Sequence, residues 1–458
     1  MSDLDAVFRY VDEHAEKLVE DLQRLVQQPS VSSSGEGVEE CAALLVEMMR
    51  DAGIDARTIP TEGQPIVYGE VSCGDPNAPT LLHYSHYDVQ PGDPDDPLWD
   101  APPFEARRFG DRIVGRGTTD AKGNLMAFVE AARAYNAAGG PPINLKFIFD
   151  GEEESGGPSM PGFIEQHKEL LKADAILGFD GGFAAGDKPR VSLGNSGLLT
   201  CTLRAKGGEK DLHSARARLV PNPAWKLVWA LASMKGPDNR VLIEGFYDDV
   251  RPVSPREREL LEEAGFDDEA WKADLGVDEF LGGVSGVDAL EQLLFTPTFN
   301  INGFASGFVG EGAKTLLPST ATVNLDFRLV MDQDPQDILA KLERHLQTHG
   351  FEDIEVTGRG FIEPSRTDAD APFARIVADA AREIYGREPS LLPTGDASGR
   401  HTLWVATRLG IQGAGTGIGP PDWRGQAANE FMLVPYYLKG IKYAARVWDM
   451  VAQRGGVG

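Results

Sequence analysis

Three clusters in the first half of the chain hold side chains able to bind a cation or move a proton. The first is Ser85-His86-Tyr87-Asp88, at the end of an apolar run. Alternation along a strand puts residues i and i+2 on one side. His86 can then offer one ring nitrogen to a metal while Asp88 holds the other, as metal-binding histidines require. A plain strand end is the competing reading of H-x-D. His83 points to the other side and reads as a packed core residue. The second cluster runs Gly115-Arg116-Gly117-Thr118-Thr119-Asp120-Ala121-Lys122-Gly123. It lacks the phosphate-binding pattern G-x-x-x-x-G-K-[ST], and Asp120 would repel a phosphate. A carboxylate at such a strand-to-helix junction can instead bridge two cations. The third is Asp150-Gly151-Glu152-Glu153-Glu154-Ser155-Gly156-Gly157. One glutamate there can bind a metal while its neighbour serves as general base. A solvated acidic loop is the alternative. Asp180 follows the apolar run AILGF and sits at a further strand end.

These clusters need elements to aim them. PIVYGEV near 65–71, APTLLHYSHYDV near 78–89, INLKFIFD at 143–150 and ADAILGFD at 173–180 predict buried strands. Residues 122–138 predict a helix. Residues 4–27 place Val7, Phe8, Val11, Leu18, Leu22 and Leu25 or Val26 at helical spacing. A second amphipathic helix is predicted from about Gly37 to Ala52, with Gly53 as its stop. Strands alternating with helices predict an α/β sheet, whose sites lie at the carboxyl ends of the strands.

The pattern changes after about residue 197. LLTCTLRAKG reads as a half-exposed strand, 234–290 as polar and acidic loops, and TATVNLDFRLV at 320–330 as an antiparallel strand with one wet face. QDILAKLERHLQTHG predicts a helix stopped by Gly350. A helix over 372–385, a strand near 404–414 and a helix at about 433–453 follow. The expected organisation is an α/β domain of residues 1–197 and 366–458, interrupted by a second domain of residues 198–365.

The bulk properties narrow the function class. A chain of 458 residues predicts two domains. A net charge of -27 disfavours nucleic acid and anionic membranes as partners. It reads as a solvated acidic surface, with a salt-adapted host as the alternative. Cys41, Cys73 and Cys201 show no C-x-x-C spacing, so neither a disulfide framework nor a zinc ribbon is expected. The start MSDLDAVFRYVDEH is acidic and amphipathic, which predicts no signal peptide. No apolar run has the length of a membrane span. A cytoplasmic location is expected.

Taken in order, HYDVQP, WDAPPFEARRFGDRIVGRGTTDAKG, GEEESGG, DLHSA, FNINGF and FRLV resemble the di-zinc metallopeptidase family. That family includes carnosine dipeptidases, carboxypeptidase G and succinyl-diaminopimelate desuccinylase. The similarity covers nearly the whole chain and is greatest to the carnosine-type dipeptidases. The resemblance implies a catalytic α/β domain with an inserted α+β lid and dimerisation domain. It implies two Zn2+ per subunit, with Mn2+ or Co2+ as alternatives. One metal would be held by His86, Asp120 and Asp180, and the other by Asp120 and Glu154. Glu153 would be the general base and Asp88 would orient His86. The Asp120–Ala121 bond would be cis. In a homodimer His213 would steady the oxyanion in the other subunit's site. Arg328 would grip the substrate's C-terminal carboxylate with its forked guanidinium. Thr315 would contact substrate, and Asn222 would support the dimer. Without the resemblance, Arg328 reads as a strand salt bridge.

Two segments depart from the family pattern. Gln426 stands where a histidine ligand is expected, three residues before Asn429-Glu430, and no histidine follows His401. A neutral amide oxygen is a poorer zinc ligand than imidazole. Gly395-Asp396-Ala397-Ser398-Gly399 replaces a Gly-Gly-Ser-x-Pro segment, with Ser398 as the carried-over substrate contact. The expected activity is hydrolysis of the amide bond of a dipeptide or short peptide bearing a free C-terminal carboxylate. Three alternatives stay open: an N-acyl amino acid deacylase, a silent binding or assembly homologue, and an enzyme with one or a weakly loaded metal.

Overall fold

The computed structural model describes residues 4–184, 186–395 and 401–458. The chain forms two compact units. The first is Met1–Gly194, Arg366–Pro393 and Gly399–Gly458; the second is Asn195–Ser365 and Thr394–Ser398. The predicted contact Ser398 lies outside the described residues.

Among the described residues, the first unit is built on an eight-stranded sheet. Its order is Asp55–Ile59, Ile66–Val71, Asn144–Asp150, Thr80–His86, Ala175–Phe179, Gln412–Thr416, Arg190–Ser192, Ser390–Leu392. Thr80–His86 lies between Asn144–Asp150 and Ala175–Phe179 and runs parallel to both. Central parallel strands are covered on both faces, so they read as continuous apolar runs. Ala175–Phe179 is buried throughout. The Lys122–Ala137 helix packs against the final helix, Val434–Gln453. The apolar stripe over 4–27 belongs to two helices, Leu4–Glu13 and Ala15–Gln27, separated at His14.

One segment of this unit differs from expectation. Residues 401–409 form a helix, His401–Leu409, and the strand begins only at Gln412. Its first six residues are all buried. A helix covered on every side carries no polar face, and its sequence reads like a buried strand.

The second unit holds an antiparallel sheet ordered Thr298–Ser306, Thr320–Leu329, Gly197–Lys206, Glu355–Ile362. Ala321, Val323, Leu325, Phe327 and Leu329 alternate into a core shared with Pro223–Met234 and Pro335–Thr348. The region 234–290, read as loops, contains the helices Pro255–Ala264 and Asp268–Leu275 and the start of Gly286–Phe295. Ser254 and Glu257 form a reciprocal capping box at the first of these. Among the described residues, Leu261, Leu290 and Leu294 form the buried cluster of this excursion, with Leu260 and Ala289 also buried. So few apolar positions among many charges leave a weak helical period.

His83 is fully enclosed in the first unit. Trp448 Nε1 donates to its Nε2 at 2.7 Å, and its Nδ1 lies 3.0 Å from the Lys146 carbonyl. The ring is therefore neutral, with its proton on Nδ1. Burial pushes its pKa down to about 3. The unfolded chain, with a histidine pKa of about 6.5, binds a proton that the folded chain refuses. This contribution to stability is complete above about pH 6.5 and declines towards about pH 3, by about 1.4 kcal/mol per pH unit. His83→Gln is expected to lower stability at neutral pH and to remove this share of the acid sensitivity. Denaturant unfolding of both chains across the acid range checks it; parallel stability–pH curves would contradict it.

Candidate active site

The three adjacent parallel strands fix the site. Their carboxyl ends deliver His86, the turn after Asp150, and Asp180 to one edge of the sheet. Asp120 arrives from the segment that opens the Lys122–Ala137 helix, across a cis Asp120–Ala121 bond. His86 Nε2 lies 3.1 Å from Asp120 Oδ1 and 3.8 Å from Asp180 Oδ1. One ligand atom from each of these three residues falls within 4.8 Å of the other two.

Asp88 serves both sides of this cluster. Its main-chain oxygen lies 3.0 Å from His86 Nδ1, and its carboxylate lies 3.2 Å from the same nitrogen. That carboxylate also accepts from the backbone N–H of Glu153 at 3.2 Å and of Glu154 at 3.0 Å. The histidine and the glutamate turn are therefore held by one buried acid. Gln90 Nε2 donates to Glu154 Oε2 at 2.9 Å.

Gln426 reaches the same place from the far end of the chain. Its Nε2 donates to Glu154 Oε2 at 2.9 Å and to Asp120 Oδ2 at 3.3 Å. The amide nitrogen, not its oxygen, faces the carboxylates.

A buried ion pair supports these residues from behind. Arg116 Nη1 meets Glu430 Oε2 at 2.7 Å. Glu430 Oε1 accepts from the N–H of both Thr119 and Asp120 at 3.0 Å. Arg116 Nη2 donates to the Gln426 carbonyl at 2.9 Å. Asn124 links the Asp120 segment to the Asp180 segment through the carbonyls of Thr119 and Gly181. Lys122, wholly buried, donates to the carbonyls of Leu25 and Gln28 at the end of the second helix. Tyr84 Oη lies between His401 Nδ1 at 2.9 Å and Asp150 Oδ2 at 3.3 Å. Sequence reasoning had Arg116, Asn429-Glu430 and His401 in view but assigned them no role. The segment Gly-Arg-Gly-Thr-Thr-Asp, paired with a distant Asn-Glu, was the available signal.

The crowded acids raise one another's proton affinity and favour positive charge between them. Burial pushes Glu153 well above the usual carboxylate range, and Asp180, Asp120 and Glu154 add to the shift. Burial and Asp120 likewise raise Glu154 to about 7. Burial opposes protonation of His86, but its carboxylate partners raise its pKa well above normal. His86 Nε2 and Glu154 Oε1 are buried without a hydrogen-bond partner. An imidazole nitrogen with two facing carboxylates fits a divalent cation in both charge and donor type.

The remaining predicted residues lie in the second unit. His213 pairs with Leu316 in a short ribbon, and Ser214 N–H donates to the Thr315 carbonyl at 3.0 Å. His213 and Thr315 are thus neighbours, and both are exposed. Ala215 N–H donates to His213 Nδ1 at 3.2 Å, so the neutral ring carries its proton on Nε2. Asn222 caps the Pro223–Met234 helix by accepting from Ala224 N–H at 2.8 Å. Arg328 stands between Leu198 and Thr298 on the sheet, half-buried, among the residues that alternate away from the core.

Comparison with known proteins identifies the family. The profile of peptidase family M20/M25/M40 matches residues 82–450. An M20 family metallo-carboxypeptidase of Sulfolobus solfataricus superposes with a TM-score of 0.88 at 35% identity, over 95% of this chain and 99% of that one. The Beta-Ala-His dipeptidase of Rattus norvegicus is 25% identical, over 86% of this chain and 84% of its own. A Cys-Gly metallodipeptidase of Candida albicans is 27% identical, over 96% and 95%. The YXEP protein of Bacillus subtilis, described as a dinuclear metal-binding peptidase of the M20 family, shares the fold with a TM-score of 0.56 at 12% identity, over 96% of this chain and 99% of that one. This chain belongs to peptidase family M20/M25/M40 and is an enzyme of the metallopeptidase type.

Proposed function

We propose that this enzyme hydrolyses the amide bond of dipeptides or short peptides with a free C-terminal carboxylate. One observation carries the reading: a cation-ready trio, His86, Asp120 and Asp180, together with the half-buried Glu153, whose backbone N–H is held by the same Asp88 that holds the His86 ring. The dipeptidase relatives support the substrate class.

A bound cation supplies Lewis acidity, which makes a water more acidic and polarises the scissile carbonyl. Zn2+ suits the mixed nitrogen and oxygen donors, with Mn2+ or Co2+ as alternatives. His86, Asp120 and Asp180 would hold it, with Asp88 fixing the His86 ring. Glu153 accepts the proton of the attacking water on its carboxylate and returns it to the leaving amine nitrogen. His213 donates from Nε2 to the oxyanion of the tetrahedral intermediate, from the other subunit of a homodimer. Arg328 binds the substrate's terminal carboxylate in a two-pronged contact, and Thr315 adds a polar one. Asn222 fixes the start of its helix, which supports the dimer. The second unit acts as the lid.

The Sulfolobus relative favours a second reading, release of the C-terminal residue from longer peptides. A panel of dipeptides, longer peptides and N-acyl amino acids separates the two from each other and from a deacylase. Absence of hydrolysis across the panel would overturn the enzyme assignment of substrate class.

Three outcomes are expected of the active protein. Removal of metal by a chelator abolishes turnover, and Zn2+, Mn2+ or Co2+ restores it. Glu153→Gln lowers kcat by about 10²–10⁴-fold while KM and bound metal stay near normal, as loss of a proton shuttle requires. Arg328→Ala raises KM about 30-fold or more for free-carboxylate dipeptides and leaves the already weak cleavage of their C-terminal amides unchanged. Steady-state kinetics on matched acid and amide substrates reads this; equal losses on both would assign Arg328 to the sheet alone.

A further inference from the structure

The two cation positions of this family are not equivalent in this chain. The first is offered an imidazole nitrogen and two carboxylates, and His86 Nε2 has no competing hydrogen bond. The second is offered Asp120 Oδ2, Glu154 and Gln426. Here both carboxylates already have a partner. Gln426 Nε2 donates to Glu154 Oε2 at 2.9 Å and to Asp120 Oδ2 at 3.3 Å.

We infer that Gln426 keeps the second position empty at cation levels that fill the first, so that the enzyme works with one metal. The inference rests on reading His86, Asp120 and Asp180 as metal ligands. A carboxamide has a donor end and an acceptor end, and two facing carboxylates select the donor end. Each N–H bond to an anionic oxygen is of the stronger, charge-assisted kind. The pair joins Asp120 to Glu154, the link a second cation would otherwise make. To admit that cation, the amide must turn over, break both bonds and present a neutral oxygen. The gain is satisfaction of the single orphaned oxygen, Glu154 Oε1. The loss is two bonds, and the resulting donor set contains no nitrogen.

The backbone keeps the amide in place. Gln426 is exposed as a residue and has a positive φ of 56°. Its carbonyl is nevertheless held by the buried Arg116, whose partner Glu430 also holds the N–H of Asp120. One ion pair thus sets the spacing between the Gln426 carboxamide and the carboxylate it binds. A histidine at this position would present a ring nitrogen acceptor and no amide donor pair.

The test is the metal stoichiometry of the full chain, read without turnover. Zn2+ is titrated into metal-stripped protein by calorimetry, with metal content after equilibrium dialysis as the second readout. One tight equivalent is expected, with any second weaker by about 100-fold. Gln426→His is expected to bind two equivalents of comparable affinity. Gln426→Glu, nearly isosteric, exchanges the amide donors for a third carboxylate and is expected to gain the second equivalent as well. Two comparable equivalents in the unaltered chain would overturn the inference. So would one equivalent in all three chains, which would remove Gln426 as the cause. No tight equivalent in any of them would strike the underlying metal-site reading. Failure of dipeptide cleavage with the expected stoichiometry would overturn the proposed substrate and leave this inference standing.

Discussion

Glu430 is a fully buried carboxylate with three obligations. It pairs with Arg116, and it receives the N–H groups of Thr119 and Asp120 on its other oxygen. Burying an ion pair is costly unless the remaining hydrogen-bonding groups are satisfied. The second oxygen of Glu430 is satisfied by two N–H groups, whereas Arg116 Nε is buried without a partner. Removing one partner of such a pair typically costs about 3–5 kcal/mol. The geometry around Asp120 depends on this arrangement. The peptide N–H at Asp120 is held from behind, which leaves its carboxylate free to face His86 on one side and Gln426 on the other. The guanidinium that neutralises Glu430 also holds the Gln426 backbone. The two ends of the site are therefore spaced by one charge pair.

The sheet supplies the complementary constraint. Adjacent parallel strands end at the same edge, so acids placed at their ends crowd together. Crowding raises their proton affinity, and the cluster becomes a place where positive charge is strongly favoured. Asp88 keeps the crowd ordered, because it binds the N–H groups of the two glutamates as well as the His86 ring. The same physics that makes the cluster unfavourable as bare anions makes it suitable for a divalent ion.

Much of this was legible in the residues. His86, the acidic run after Asp150 and Asp180 stood out because they lie at the ends of apolar runs, and Asp120 because it lies in a glycine-rich strand-to-helix junction. Which acid takes which role came only from the family resemblance. His83 could be set aside because its parity points it into the core, where Trp448 and Lys146 satisfy it. The support behind the site was not legible. Arg116 and Glu430 are 314 positions apart, and no local period links them. The identity of Gln426 was visible, but the direction of its amide follows from which atoms face it. The helices between 255 and 295 were missed because charge masks their few apolar positions. The helix His401–Leu409 was missed for the opposite reason, since burial on all sides erases its polar face.

The first unit is discontinuous, and this has a consequence for the order in which the protein is made. The Gln412–Thr416 strand sits between Ala175–Phe179 and Arg190–Ser192, so the sheet cannot close until residues beyond 400 have left the ribosome. The second unit occupies an almost continuous stretch, and its sheet is complete in sequence by Ile362. Domains fold as units once their chain is available. The inserted unit can therefore mature while the one that encloses it is still waiting. Glu430, which holds Asp120, is among the last residues to arrive. The acids of the candidate site, the last of them Asp180, therefore leave the ribosome long before Glu430, the residue that holds the Asp120 backbone.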